Sequence, residues 1–119
     1  MNVDFKIIRE LLASLAKAER NAQSFRHVRG MPLQEEIRFD HLVALYENGL
    51  VDARDTSDER KRELTDPVLT VDGQDLLDAL QSDSLWADVK RHVERSGSPL
   101  DLKTVKACVA QAITGGFNA

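Results

Sequence analysis

Apolar residues return every three or four positions through most of the chain, the period of a helix with one buried face, and give way to short branched runs at only a few places. The first periodic stretch predicts a helix from Asp4 to Glu19, with Phe5, Ile8, Leu12 and Leu15 on one stripe and Lys6, Arg9, Glu10, Lys17 and Glu19 mostly off it. Asn2 or Asp4 can cap its start by accepting an orphan backbone N–H. A polar stretch from Asn21 to Gly30 follows, with room for a short strand around Phe25 to Val28, and Gly30-Met31-Pro32 punctuates the chain. Leu33 to Asn48 is helical in pattern and reads as a short helix, a turn and a second helix, with Ile37, Leu42, Leu45 and Tyr46 toward the core. Gly49 suits the left-handed position that ends a helix.

Leu50-Val51-Asp52-Ala53 and Val68-Leu69-Thr70-Val71 are short and branched enough to be strands. Between them, Arg54 to Pro67 is polar and rich in both signs of charge, and two strands flanking a long charged loop make a wing. Thr70-Val71-Asp72-Gly73 then opens a helix that places Leu76, Leu77 and Leu80 at core spacing. Ser82 or Asp83 stops it and starts another, whose stripe is Leu85, Trp86, Val89 and Val93 and whose end is Ser96-Gly97. The last helix is predicted from Pro99 to Thr114, with Ser98 as cap, proline at the first helical position and Asp101 in the first turn. Leu102, Val105, Val109, Ala112 and Ile113 supply its apolar face, and Gly115-Gly116 ends it.

The order helix, short helix, helix, strand, wing, strand, helix is that of winged-helix proteins. The expected fold is therefore mainly α with a small β-hairpin: a winged helix-turn-helix with additional C-terminal helices. At 119 residues, with no repeat and no interdomain linker, the chain reads as a single winged-helix-like domain over 1–119, its wing at about 50–71 and its C-terminal helical extension at about 84–114. Four segments carry a closer resemblance: Asp4-Phe5-Lys6-Ile7-Ile8-Arg9, His41 through Val51, Val68 through Leu77, and Ser84-Leu85-Trp86-Ala87-Asp88-Val89-Lys90. Together they resemble domain-of-unknown-function family 2513, over nearly the whole chain. The resemblance implies the winged-helix fold and a phage or mobile-element setting. It brings no catalytic residues with it.

Charge changes this picture. The net charge of −4 hides an uneven distribution. From Leu33 to Asp88 five cations face fifteen acids, a net of −10, while the remainder has eleven cations against five acids, a net of +6. A duplex-binding face should concentrate cations. The expected recognition helix does the opposite: from Gln34 to Asn48 it offers Gln34, Arg38 and Asn48 against Glu35, Glu36, Asp40 and Glu47. The wing carries Arg54 and the run Arg60-Lys61-Arg62, set among Asp55, Asp58, Glu59 and Glu63.

Reactive groups are scarce, so the chain is expected not to be an enzyme and to need no cofactor or metal. Cys108 falls with Val105, Val109 and Ala112 on one helical face, the place of a small buried hydrophobe. His27, His41 and His92 lack metal-ligand spacing and read as surface or core-edge residues. Asp72, Asp75 and Asp78 sit near a helix start, where they complement its dipole. Trp86 shares its stripe with Val89 and Val93 and is expected to pack against the wing or the last helix. The short apolar runs and the absence of a signal-like leader read as a cytoplasmic protein with no membrane partner.

Two partners fit this pattern. Duplex DNA would be held by Arg54, Arg60, Lys61, Arg62 and Arg38, together with the basic terminal segments, in a regulator expected to be a homodimer. A host protein would instead meet the acidic surface of Glu35, Glu36, Asp40 and Glu47, by direct contact or by imitating nucleic-acid charge. The stripe of the last helix could pack on its twin in such a dimer or close the monomer's own core.

Overall fold

The computed structural model describes residues 2–17 and 24–115. The predicted end of the first helix at Glu19, the start of the polar stretch at Asn21 and the final Gly116 lie outside the described residues. Within them five helices and a three-stranded sheet follow in the order α1 (Phe5–Lys17), β1 (Ser24–Arg26), α2 (Leu33–Glu47), β2 (Val51–Asp55), β3 (Glu63–Leu69), α3 (Val71–Gln81), α4 (Asp83–Ser96) and α5 (Leu102–Gly115). The architecture is mainly helical with a small antiparallel sheet ordered β1-β3-β2.

The expected hairpin forms, with Val51 opposite Leu69 and Asp52 opposite Val68, and β1 adds a third strand through Phe25 opposite Leu64. Val71 leaves the sheet and becomes the first residue of α3. Pro67 lies in the central strand, where a residue without an N–H needs an explanation. From Val68 to Thr65 β3 advances three residues while β2 advances two, from Asp52 to Arg54. That extra residue makes a bulge, eased by Asp66 at φ +54. β1 pairs only with Glu63 to Thr65, so it asks Pro67 for no ladder bond.

The structure corrects the expected helix-turn-helix. Leu33 to Glu47 is one uninterrupted helix of 15 residues. No glycine or proline follows Pro32 in that span, so nothing breaks the hydrogen-bond ladder. Its inner face carries Phe39, His41, Leu42 and Leu45, whereas Ile37, predicted inside, is exposed. His41 takes the inner position. Its Nδ1 donates to the Ile37 carbonyl at 2.7 Å and its Nε2 accepts the Asp4 N–H at 2.9 Å, which ties the start of α1 to α2.

Helix ends follow local chemistry. Gly49, at φ +73, ends α2 in a Schellman motif: its N–H bonds the Tyr46 carbonyl, and the Leu50 N–H bonds the Leu45 carbonyl at 2.9 Å. Thr70 Oγ1 accepts the Gly73 N–H to start α3, and Ser82 Oγ accepts the Leu85 N–H to start α4. The last helix begins three residues later than predicted. Asp101 is its cap, accepting the Thr104 N–H at 2.8 Å, and that bond holds the Asp101 carboxyl below the usual carboxylate range.

One core draws on all five helices, from Ile8 and Leu12 through Leu45, Leu50 and Leu64 to Leu76, Val89, Val93 and Val105. The stripe of α5 closes this core with Leu102, Val105, Cys108 and Val109, which is the monomer's own use of it. Burial pushes the Cys108 thiol up. Trp86 packs against the core and meets Phe5 of α1, ring centroids 5.0 Å apart.

Gly73 marks the tightest crossing. A Cβ there would lie 1.9 Å from the Leu50 carbonyl oxygen, a backbone atom with no room to yield. Gly73→Ala is therefore expected to cost on the order of 3 kcal/mol. Gly97→Ala, at φ +71 in open space, should cost only about 1 kcal/mol. At roughly 4 °C per kcal/mol the first variant should melt well over 5 °C below the second. Equal melting temperatures would show that the crossing is loose.

Candidate nucleic-acid interface

The expected wing tip falls on the loop 56–62 between β2 and β3, which is built by short polar side chains. Asp58 Oδ1 accepts the N–H groups of Arg60 and Lys61 at 2.8 and 3.0 Å, and the Asp58 N–H returns to the Lys61 carbonyl at 2.9 Å. Such a turn suits aspartate, whose side chain mimics a backbone acceptor. Below it, Thr56 Oγ1 donates to Glu63 Oε1 at 2.7 Å and Ser57 Oγ accepts the Glu63 N–H at 2.8 Å. The Thr56 hydroxyl, then that of Ser24, hold the Glu63 carboxyl below the usual range, with Lys61 adding to the effect. Asp55 is lowered likewise, by Ser57 first and by the Arg62 charge last.

Most of the predicted DNA-binding cations are already engaged. Arg62 reaches Asp55 at 3.3 Å and Glu47 at 3.7 Å, Lys61 reaches Glu63 at 3.5 Å, and Arg54 reaches Asp66 at 3.0 Å beside the bulge. Arg60 and Arg38 make no ion pair among the described residues. Of the predicted acidic set, Glu47 is paired with Arg62, and Glu36 lies 3.6 Å from His27. Glu35 and Asp40 remain exposed.

Sequence reasoning expected a short strand around Phe25 to Val28 but not its pairing with β3, which completes this surface. The His27 N–H bonds the Arg62 carbonyl at 2.9 Å, and His27 lines a cavity with Arg60, Lys61 and Arg62. Arg26, one residue earlier, lines a groove on the other side of β1 with Arg38. Arg29 stands exposed at the tip of the turn closed by the Met31 N–H and the Val28 carbonyl. Arg26 and Arg29, too, have no ion-pair partner among the described residues. The signal available in the sequence was the count of three arginines and one histidine between Arg20 and Gly30; only β1 pairing with β3 brings Arg26, His27 and Arg29 to the wing.

The candidate reactive groups do not converge. His41 is committed to two backbone groups, Cys108 is buried, Asp72 lies 3.8 Å from Lys106, and Asp78 accepts from Gln74 at 3.0 Å. Among the described residues no group of three or more His, Cys, Asp or Glu could hold a metal ion, and no helix is long and apolar enough to cross a membrane.

Because Glu63 is held charged, its contribution to wing order is complete above about pH 4.3, the ordinary glutamate value, and is lost as pH falls through its lower folded-state value. Thr56→Val should raise that midpoint toward the ordinary value, read by carboxyl carbon NMR. An unchanged midpoint would remove the Thr56 hydroxyl from the account.

The sequence profile described as hypothetical protein, domain of unknown function 2513, matches residues 2–99 and so takes in every element up to α4. No curated protein and no solved structure matches the chain. With most of its length matched, the chain belongs to the family of hypothetical proteins of domain of unknown function 2513.

Proposed function

We propose that the chain is a non-enzymatic winged-helix module that binds duplex DNA, as a transcriptional regulator of phage or mobile-element origin. The order α1, β1, α2, β2 and β3, that of a winged helix with one helix fewer, supports this reading, with the loop 56–62 taken as the wing. The observation that carries the reading is a set of exposed arginines, read as one ridge. Arg26 and Arg38 line the groove between β1 and α2, Arg29 stands on the turn that joins them, and Arg60 lines the cavity with His27, none with an ion pair among the described residues. Unpaired cations condense on phosphates and release counterions, which is the main source of affinity for a duplex. Arg62, Lys61 and Arg54 instead serve the wing's own structure. The Glu47–Arg62 pair also reduces the repulsion that the acids of α2 would exert.

A protein partner, such as a host protein inhibited by contact, is the second reading, favoured by a different observation. Val28, Leu33 and Ile37 are 48%, 69% and 36% exposed, next to Glu35 and Asp40. An exposed apolar group beside acids is the surface of a protein interface more than of a duplex contact.

A salt-titrated binding assay with a generic duplex separates the two. Four phosphates neutralised at about 0.9 each give a slope of log affinity against log salt of roughly −3.6 per chain. Replacing Arg26, Arg29, Arg38 and Arg60 with alanine should flatten it, whereas Arg62→Ala should change it by less than one phosphate's share, about 0.9. Glu35→Gln and Asp40→Asn should strengthen binding. No salt-dependent binding at low ionic strength would overturn the DNA reading in favour of a protein partner.

A further inference from the structure

Between α1, β1 and α2 lies a groove of about 480 Å³, within the range of roughly 300–1,000 Å³ usual for small-molecule sites. Its walls are apolar and come from every neighbouring element: Leu11 from α1, Phe25 from β1, Val28 and Met31 from the turn, Phe39 and Leu42 from α2. Arg26 and Arg38 also line it, from opposite sides, against the single carboxylate of Glu35. Neither arginine forms an ion pair among the described residues, and Glu35, one turn before Arg38 on the same helix, does not come within ion-pair distance of it. The groove thus joins an apolar interior to a net positive lining whose guanidinium groups make no ion pair among the described residues. A guanidinium matches a carboxylate with two parallel N–H···O bonds.

From this juxtaposition we infer that the groove is a binding site for a small amphipathic carboxylate, an apolar chain with one acid group. The chain lies along Phe25, Phe39 and Met31, and the carboxylate is held between Arg26 and Arg38. Charge complementarity selects this class over a neutral or cationic apolar molecule. Glu35 opposes the ligand's charge and limits its affinity. The site shares Arg26 and Arg38 with the proposed duplex contact but takes a ligand of another class, selected by apolar walls that a duplex does not use.

The probe is decanoate, titrated below its micelle concentration by calorimetry, with backbone NMR shifts to place it. Saturable 1:1 binding is expected, with shifts centred on Phe25, Met31 and Phe39. Arg26→Gln and Arg38→Gln, both exposed and so tolerated by the fold, should each weaken it about tenfold. Glu35→Gln should tighten it, and decyltrimethylammonium should bind at least tenfold more weakly than decanoate. Three results overturn the inference: no saturable binding, equal affinity for the cationic probe, or unchanged affinity in both arginine variants. Because no nucleic acid is present, each of these leaves the duplex reading to its own assay.

Discussion

The fold depends on one backbone approach, where the carbonyl of Leu50 meets the first turn of α3. Three constraints converge on that residue. Its N–H closes α2 by bonding the Leu45 carbonyl, its side chain is fully buried, and its carbonyl accepts the Thr70 N–H at 3.2 Å. Thr70 returns the contact through its hydroxyl, which donates to the Gly49 carbonyl and accepts the Gly73 N–H. The end of α2, the base of the hairpin and the start of α3 are therefore one joint. Only glycine at position 73 lets the two backbones come so close. Lys106 of α5 reinforces the joint by donating to the Asn48 carbonyl at 2.7 Å, a cation placed at a helix C-terminus.

From that joint the hairpin runs out past the pairing with β1, and its loop is ordered largely by its own polar groups. Hydrogen bonds from Thr56, Ser57 and Asp58 do this, and the acids Asp55, Glu63 and Asp66 each take a cation. Exposed pairs of this kind add little to global stability. Their consequence here is different, because they decide which cations an outside anion can reach. The wing's charge in the sequence and the charge it offers a partner are separate quantities.

Much of this was legible from local chemistry. The glycine after Asn48, the threonine before Val71 and the serine between Gln81 and Asp83 each end or start a helix where their side chains and backbone freedom require. The branched runs around a charged loop gave the hairpin. What was not legible depended on partners distant in the chain. His41 is inside because Asp4 offers it an N–H, so Ile37, the better hydrophobe, is left outside. The break expected within Leu33 to Asn48 rested on a pattern; the packing of Phe39 and His41 fills that interval and keeps the helix whole. Asp101 outcompetes Ser98 as cap because its carboxylate reaches the Thr104 N–H, a choice the two residue types alone do not settle. The candidate site was half visible: its wing arginines were named, but which of them were already paired, and that β1 and the turn after it supply Arg26 and Arg29, required the fold.

The ridge and the groove have a common origin in the shortness of β1. A three-residue edge strand pairs with only the first half of β3 and offers little open backbone for another chain to extend. After Arg26 the chain leaves the sheet, turns through Val28 to Met31, and enters α2 at Leu33. The turn is tight, with the Val28 N–H directed at Met31 Sδ at 3.4 Å, so Arg29 is pushed outward. Past Arg26 the antiparallel register runs toward Arg62, and the His27 N–H still bonds the Arg62 carbonyl before the chain turns away. Ending early, β1 leaves the side of α2 that bears Phe39 without a sheet to cover it fully, and the gap becomes the groove. The same early ending sets Arg26 at the strand's last position, beside Arg38 on one side and next to His27 and the wing on the other. One short strand thus contributes both to the apolar wall and to the cations around it.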